Sequence, residues 1–416
     1  MELDLDYLTE QKIIEKTKLT KRLTIGGDTK IYDVYKIPLE YLYFNDQNGR
    51  INTAYHQYIA KNGKLTPERG ESTYNKKFEQ FIYEADKAAL DTTQISIESY
   101  GQQEPGVILS DGRVIDGNRR FTAIRRIQRK TEIAQYFEAT IISLDIDKKA
   151  ESKKIKQLEL DLQLAREERK SYNPIDRIFD VYNTIKEQKL LTIEEYKKAS
   201  GARTTRKINT DLRLSELIIQ FLQIISPSDN PVEKFYLARE LNLDGPIEEI
   251  ESTLSKLKDN KKAITDIVLT TLAVQIMISD PGDKDITRKM REIKTNILNN
   301  PEVKEYFVDA TDEHVDVLID YFEENPVEKI QDLKANIEND KDASDAAKKL
   351  LKSTKRLSEK GAKSANRRQA LTIIENIRDD LYELEKEDIE CMKSNEIVEV
   401  KHILQEIRDL IFKLEH

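Results

Sequence analysis

The chain has 416 residues, 35% charged and 38% hydrophobic, with no Trp and only 13 Gly, a balance that fits two to four helix-rich domains and excludes a β-sandwich. The net charge of −9 argues against bulk nucleic-acid binding by the whole surface, although a local basic footprint is enough for a contact. A single cysteine, Cys391, excludes an intrachain disulfide and a Cys-rich zinc site, the four scattered His make no catalytic metal cluster, and no apolar run approaches the roughly 20 residues that span a bilayer. With an acidic start that lacks a signal-peptide pattern, these features point to a reducing cytoplasm and no membrane.

Residues 1–30 read as an N-terminal segment, a short helix and a flexible approach ending in Gly26-Gly27. Ile31 to Ile37 alternates as a strand does. The turn-rich Asn45-Asp-Gln-Asn-Gly-Arg50 follows, and a helix is expected from about Tyr74 to Leu90. Val107-Ile-Leu109 and Val114-Ile115 read as strands around the Asp111-Gly112 turn. Asp116-Gly117 ends the second strand, and Asn118 can cap the helix carrying Phe121, Ile124 and Ile127. Arg119 and Arg120 fall in that helix's first turn, where free N–H groups and the helix dipole favour anions. Guanidinium forks there suit a phosphate pocket; the bland alternative is a solvated charged face. Ala139 to Asp145 is a further strand, which makes 31–147 a mixed α/β domain of short strands.

From Lys148 the pattern is helical. A charged helix runs to about Lys170, the next spans 175–189, and a third covers 193–199 after a Thr192 cap. The tight turn Ser200-Gly-Ala202 precedes a helix from about Thr204 to Ile225. Residues 148–225 thus read as a helix-turn-helix domain or as an ordinary αα-hairpin. In the first case Arg203, Thr204, Thr205, Arg206, Lys207 and Asn209 face the DNA major groove. Residues 226–345 are helical and carry no chemical motif.

Residues 346–416 combine a basic segment and a helical hairpin. Positions 348–368 hold nine basic side chains against one acid, Glu359, and are either a nucleic-acid contact or a solvated link between helices. Two apolar seams follow, Ile374, Ile377, Leu381, Leu384 and Val400, Ile403, Ile407, Leu410, Leu414, at coiled-coil spacing. They suit pairing with a second copy, another protein partner, or closure on the preceding helices.

Taken in order, these features over residues 31–225 resemble the ParB family of DNA-partition proteins, with its sulfiredoxin-like N-terminal fold. The run Ile37 to Arg50 looks like that family's apolar-start, closing-Arg segment. Gly101-Gln-Gln-Glu-Pro105 resembles its Gly-x-x-Gln-Pro loop, and Asp116-Gly-Asn-Arg-Arg120 its Gly-Glu-Arg-Arg phosphate motif. Asn173-Pro-Ile and the helix-turn-helix stand where the family has its DNA-binding domain. The resemblance implies an α+β N-terminal domain with few short strands, followed by all-α regions. It implies a nucleotide, CTP or another NTP, with Mg²⁺, held by Arg50, Gly101, Gln102, Gly117, Asn118, Arg119 and Arg120. It also implies a homodimeric clamp or adaptor on DNA.

Asn118 replaces the family's Glu, so weak NTP turnover at most is expected, and no cysteine for sulfiredoxin chemistry is present there. The family's metal segment falls at Leu164-Ala-Arg-Glu-Glu-Arg169, which departs from the pattern and leaves the metal ligand unassigned. The competing class is an NTPase or nuclease component of a DNA-modification or anti-phage defence system, where a related Asp-Gly-Gln-Arg motif occurs. A third is a pure interaction protein that keeps the fold without nucleotide. Partition, regulation and defence are not separated by the sequence.

Overall fold

A computed structural model describes residues 5–49, 51–165, 173–278, 285–335, 337, 340–383 and 389–415. The fold is α+β, as the sequence implies. A short helix α1 (Leu5–Glu10) leads into two long strands, β1 (Glu15–Ile25) and β2 (Asp28–Pro38). Their hairpin turns on Gly26 and Gly27, at φ of 61° and 96°. The second half of the expected flexible approach is therefore an edge strand. Its inward positions are Lys21, Leu23 and Ile25. A lysine stands where an apolar residue would have completed the alternation.

β3 (Tyr43–Phe44), α2 (Asn52–Asn62), α3 (Thr73–Ala85) and α4 (Lys87–Tyr100) come next. The helix expected over 74–90 is thus two helices, divided at Asp86, whose carboxylate accepts the Ala89 N–H and starts α4 afresh. β4 (Gly106–Leu109), β5 (Arg113–Asp116), α5 (Asn118–Thr131) and β6 (Tyr136–Ile142) complete the unit. The sheet runs β1-β2-β6-β4-β5-β3, parallel between β6 and β4 and between β5 and β3, antiparallel elsewhere. One face buries Phe44, Phe78, Phe121 and Phe137. The other buries Leu23, Val107, Leu109 and Ile115 against Ile155 and Leu158 of α6 (Lys149–Leu160).

α6 ends in a π-helical turn, Asp161–Ala165. The helix α7 (Pro174–Tyr182) opens with Asn173 as cap and proline at its first position. A second π turn (Asn183–Glu187) precedes α8 (Ile193–Ala199), whose Thr192/Glu195 capping box fits the expected cap. α9 spans Arg206–Ile225, starting two residues later than the sequence suggests.

Eight helices follow among the described residues: α10 (Phe235–Glu240), α11 (Asp244–Leu254), α12 (Lys261–Ile278), α13 (Asp285–Glu292), α14 (Pro301–Asp309), α15 (Asp312–Glu324), α16 (Ile330–Ala335) and the 43-residue α17 (Lys341–Glu383). The last described helix is α18 (Ser394–Glu415).

One hydrophobic core runs from Ile175 to Leu357. The expected boundary at 225/226 is therefore no break in packing: Leu214, Ile218, Phe221 and Ile225 of α9 sit in the same core as α12. Nor is the basic stretch a link between helices. It lies within α17, and Ala346, Ala347, Leu350 and Leu357 on its other face are core residues. The described seam residues do not close on this body, with Ile374 59% and Leu410 58% exposed; Leu384 lies outside the described residues.

Gly361 brings α17 against a third π turn, Ile293–Leu298: a Cβ there would lie 1.8 Å from the Asn296 carbonyl oxygen. In a helix, Gly→Ala gains up to about 1 kcal/mol, whereas forcing extra volume into packed structure costs about 1–3 kcal/mol or more. A backbone oxygen at this range puts the cost ahead. Gly361→Ala is expected to lower the thermal midpoint by several degrees. An unchanged or raised midpoint would show that this crossing is not packed as described.

Candidate functional site

A cleft of about 580 Å³ opens where β5 meets α5, bounded by α4, the loop 101–105, Lys21 and the π turn after α6. Its floor is the β5–α5 elbow. Gly117 has φ 94°, a left-handed conformation that favours glycine. A Cβ on it would lie 2.9 Å from Phe137 Cζ and 3.1 Å from Arg120 Nη2. Gly117, rather than Asn118, is the N-cap of α5. The first intrahelical bond is Phe121 N–H to the Gly117 carbonyl, so the N–H groups of Asn118, Arg119 and Arg120 have no acceptor within the helix. Relieved of capping, Asn118 is 8% exposed, lines the cleft, and its Oδ1 accepts no hydrogen bond.

Cations and acids face each other here. Arg120 Nη2 lies 3.3 Å from Asp116, while its buried Nε has no acceptor. Arg119 Nη2 is 3.6 Å from Asp86, which ties the starts of α4 and α5 together. Lys21 Nζ is 3.5 Å from Asp116 and donates to the Pro105 carbonyl. The wall opposite carries Thr92, Thr93 and Ser96 of α4. Thr92 and Thr93 donate to the carbonyls of Ala88 and Ala89, which leaves their oxygen lone pairs facing outward as acceptors.

The sequence-predicted residues divide. Gly101, Gly117, Asn118, Arg119 and Arg120 line the cleft together. Gln102 does not: its amide donates to the carbonyls of Glu104 and Glu138 and accepts the Glu138 N–H, fastening the loop to β6. Its neighbours Gln103 and Glu104 line the cleft instead. Arg50 lies outside the described residues, as do positions 166–169 of the expected metal segment; Leu162 and Gln163 just before it do reach the cleft. Among the described residues no group of three or more His, Cys, Asp or Glu is placed to hold a metal ion. Lys21, Thr92, Thr93 and Ser96 carried no local signal, because each joins the site from an element that the chain reaches far from the elbow.

The segment before residue 50 is held from beneath. Arg113, 7% exposed, pairs with Asp46 and lies over the Tyr43 ring, 5.1 Å from its centroid. Gly49 N–H donates to Glu159 Oε1 at 3.2 Å. Lys156 Nζ lies 3.4 Å from Glu159 and 2.6 Å from Asp180, and the Tyr196 hydroxyl donates to Asp180 at 2.9 Å. Burial works against the Lys156 charge, but Asp180 and Glu159 outweigh it and hold the ammonium above its ordinary value. The cleft rim, α6, α7 and α8 are thereby joined by one buried ionic chain.

At the turn between α8 and α9, Arg203, Thr204, Arg206 and Lys207 are exposed, and Thr205 and Asn209 are half-buried. Lys207 is 3.3 Å from Asp211 and 3.8 Å from Glu248 of α11, and Arg213 pairs with Glu251. No protein-family profile, curated protein or solved structure matches this chain. No described helix is long and apolar enough to cross a membrane.

Beside this network, Thr53 of α2 donates to Asp176 at 2.5 Å, and Arg239 of α10 lies 3.3 Å from the same carboxylate. Burial pushes Asp176 up to about 6, against the pull of Arg239 and Thr53, with nearby Asp180 adding to the rise. A carboxyl whose folded pKa exceeds its unfolded value of 3.8 binds its proton more tightly when folded. Its contribution is therefore greatest below about pH 4 and is lost as pH rises toward about 6, by an amount on the order of 3 kcal/mol. Asp176→Asn keeps an acceptor for Thr53 but does not titrate. Its stability relative to wild type, measured by urea unfolding, is expected to rise between pH 4 and 6.5. A difference that stays constant over that range would refute this assignment.

Proposed function

We propose that the chain is a DNA-binding protein of the ParB type, governed by a nucleotide bound in the cleft. The observation that carries this reading is the elbow: a glycine-only turn, three helix N–H groups without helical acceptors, two arginines and an unpartnered buried Asn118 oxygen, all on one cleft. Its volume lies within the range of small-molecule sites. Phosphates would lie at the start of α5, against Arg119 and Arg120, with the α4 hydroxyls facing the rest of the nucleotide. They must displace Asp86 and Asp116. Those ion pairs, at 3.6 and 3.3 Å on partly exposed side chains, are worth about 0–1 kcal/mol each, less than a charge-assisted phosphate bond at about 1.5–3 kcal/mol. Mg²⁺ needs only one or two carboxylates beside phosphate oxygens, and Asp86, Glu104 and Asp116 line the cleft. Asn118 can neither act as a base nor carry charge, so turnover is slow. The resemblance favours CTP as the nucleotide. The exposed C-terminal seams suit a homodimer.

Titration of labelled CTP, ATP and GTP tests this reading. The Arg119→Ala/Arg120→Ala double variant is expected to lose roughly a hundredfold or more in affinity, at about tenfold per 1.4 kcal/mol, with its thermal midpoint retained. Wild-type-like binding by the double variant would place the site elsewhere.

On DNA, Arg206 at the start of α9 is suited to a guanine edge and Lys207 to phosphate. Lys207 must leave Asp211 and Glu248 to do so. Arg206→Ala is expected to relax sequence preference by about 1–3 kcal/mol at one base position. Lys207→Ala is expected to weaken all sequences alike and flatten log K against log salt by about one unit. Gel shifts in which neither variant differs from wild type would make the helix-turn-helix purely structural.

A further inference from the structure

α17 presents a second electropositive surface, remote in sequence from the helix-turn-helix. Lys349, Lys352, Lys355, Arg356 and Lys363 are all exposed and make no ion pair among the described residues. Their spacing of three, four and seven places them along one helical face. With Arg367 they form a basic face about 27 Å long at the usual helical rise, with exposed Glu359 as the one acid within it. The opposite face, with Ala346, Leu350 and Leu357, is locked into the protein core. The cations are thus mounted on a rigid rod. In a chain of net charge −9, such a row is not the average surface.

We propose that this ridge is a sequence-independent contact for the phosphate backbone of duplex DNA. The alternatives fit less well. Binding of single strands relies on aromatic stacking platforms; residues 341–370 contain no Phe, Tyr or Trp, and the neighbouring Tyr306 ring carries Lys360 over it at 4.8 Å. A membrane-surface helix needs a free apolar face beneath its cations, and along residues 346–357 that face is buried in the core. A rod-like row of cations suits a rod-like polyanion, in which counterion release supplies the affinity. The proposal stands apart from the nucleotide cleft and from base reading by α9.

The test is binding of random-sequence duplex across about 50 to 200 mM salt, the range in which counterion release is most visible. The variant carries Lys349→Gln, Lys352→Gln, Lys355→Gln, Arg356→Gln and Lys363→Gln, exposed positions at which glutamine keeps the helix. Cutting the chain at 345 would be uninformative, since it removes Leu350 and Leu357 from the core. Wild type is expected to bind, and the variant to lose tenfold or more in affinity with a slope flatter by about three to five units, its thermal midpoint retained. Arg206→Ala/Lys207→Ala should keep most of the random-duplex binding. If that pair abolishes it while the glutamine variant does not, DNA binding stands and the ridge contact falls. Tighter binding of single strands of equal charge, equal competition by polyglutamate, or no wild-type binding at the lowest salt would each overturn the proposal.

Discussion

The ring of Phe137 occupies space that two side chains would otherwise fill. A Cβ on Gly106, at the start of β4, would lie 2.3 Å from its Cζ, and one on Gly117 would lie 2.9 Å away. Both ends of the β4–β5 hairpin therefore close onto a residue of β6, and Phe121 packs on the same ring at a 5.6 Å centroid distance. This contact sets the direction in which α5 leaves the sheet. From it follow the approach of Arg119 to the start of α4, the position of Arg120 beside Asp116, and the depth of the cleft.

Cations in this acidic chain serve two separate ends. Arg125, on the same helix as Arg119 and Arg120, is fully buried and held by Glu79, Glu71 and the Gly70 carbonyl. Arg113 and Lys156 are likewise enclosed by carboxylates. Removing one partner of such a pair leaves an uncompensated buried charge, so these residues are structural. Arg119 and Arg120 of the cleft, with side chains 25% and 26% exposed, and the exposed cations of α17 remain open to an anion from outside, whereas Lys21 beside Asp116 is buried with the structural group. Burial separates the two groups; residue type does not.

The buried chain from Gly49 through Glu159, Lys156 and Asp180 to Tyr196 runs from the sheet domain to α7 and α8. Its polar groups are mutually satisfied in low dielectric, where each depends on its neighbours. The cleft rim, α6, α7 and α8 are therefore held together by direct hydrogen bonds and ion pairs.

The elbow, the capping box at Thr192, the start of α7 at Pro174 and the helical spacing of the C-terminal seams were legible in the chain itself, because caps, turns and periodicity act over a few residues. Local signals failed where a residue's role depended on a distant partner. Lys21 hid a strand by sitting inward to meet Asp116, 95 positions away. Gln102 looked like a ligand until β6 claimed its amide. The basic stretch looked like a link, but core packing on its opposite face makes it part of a 43-residue helix. Sequence by itself determined several helix caps and turns, the helical periodicity of the C-terminal half, and where an anion site could begin. Tertiary structure alone decided which charges are consumed by partners and which remain exposed, because desolvation and pairing depend on groups that the fold, not the chain order, brings together.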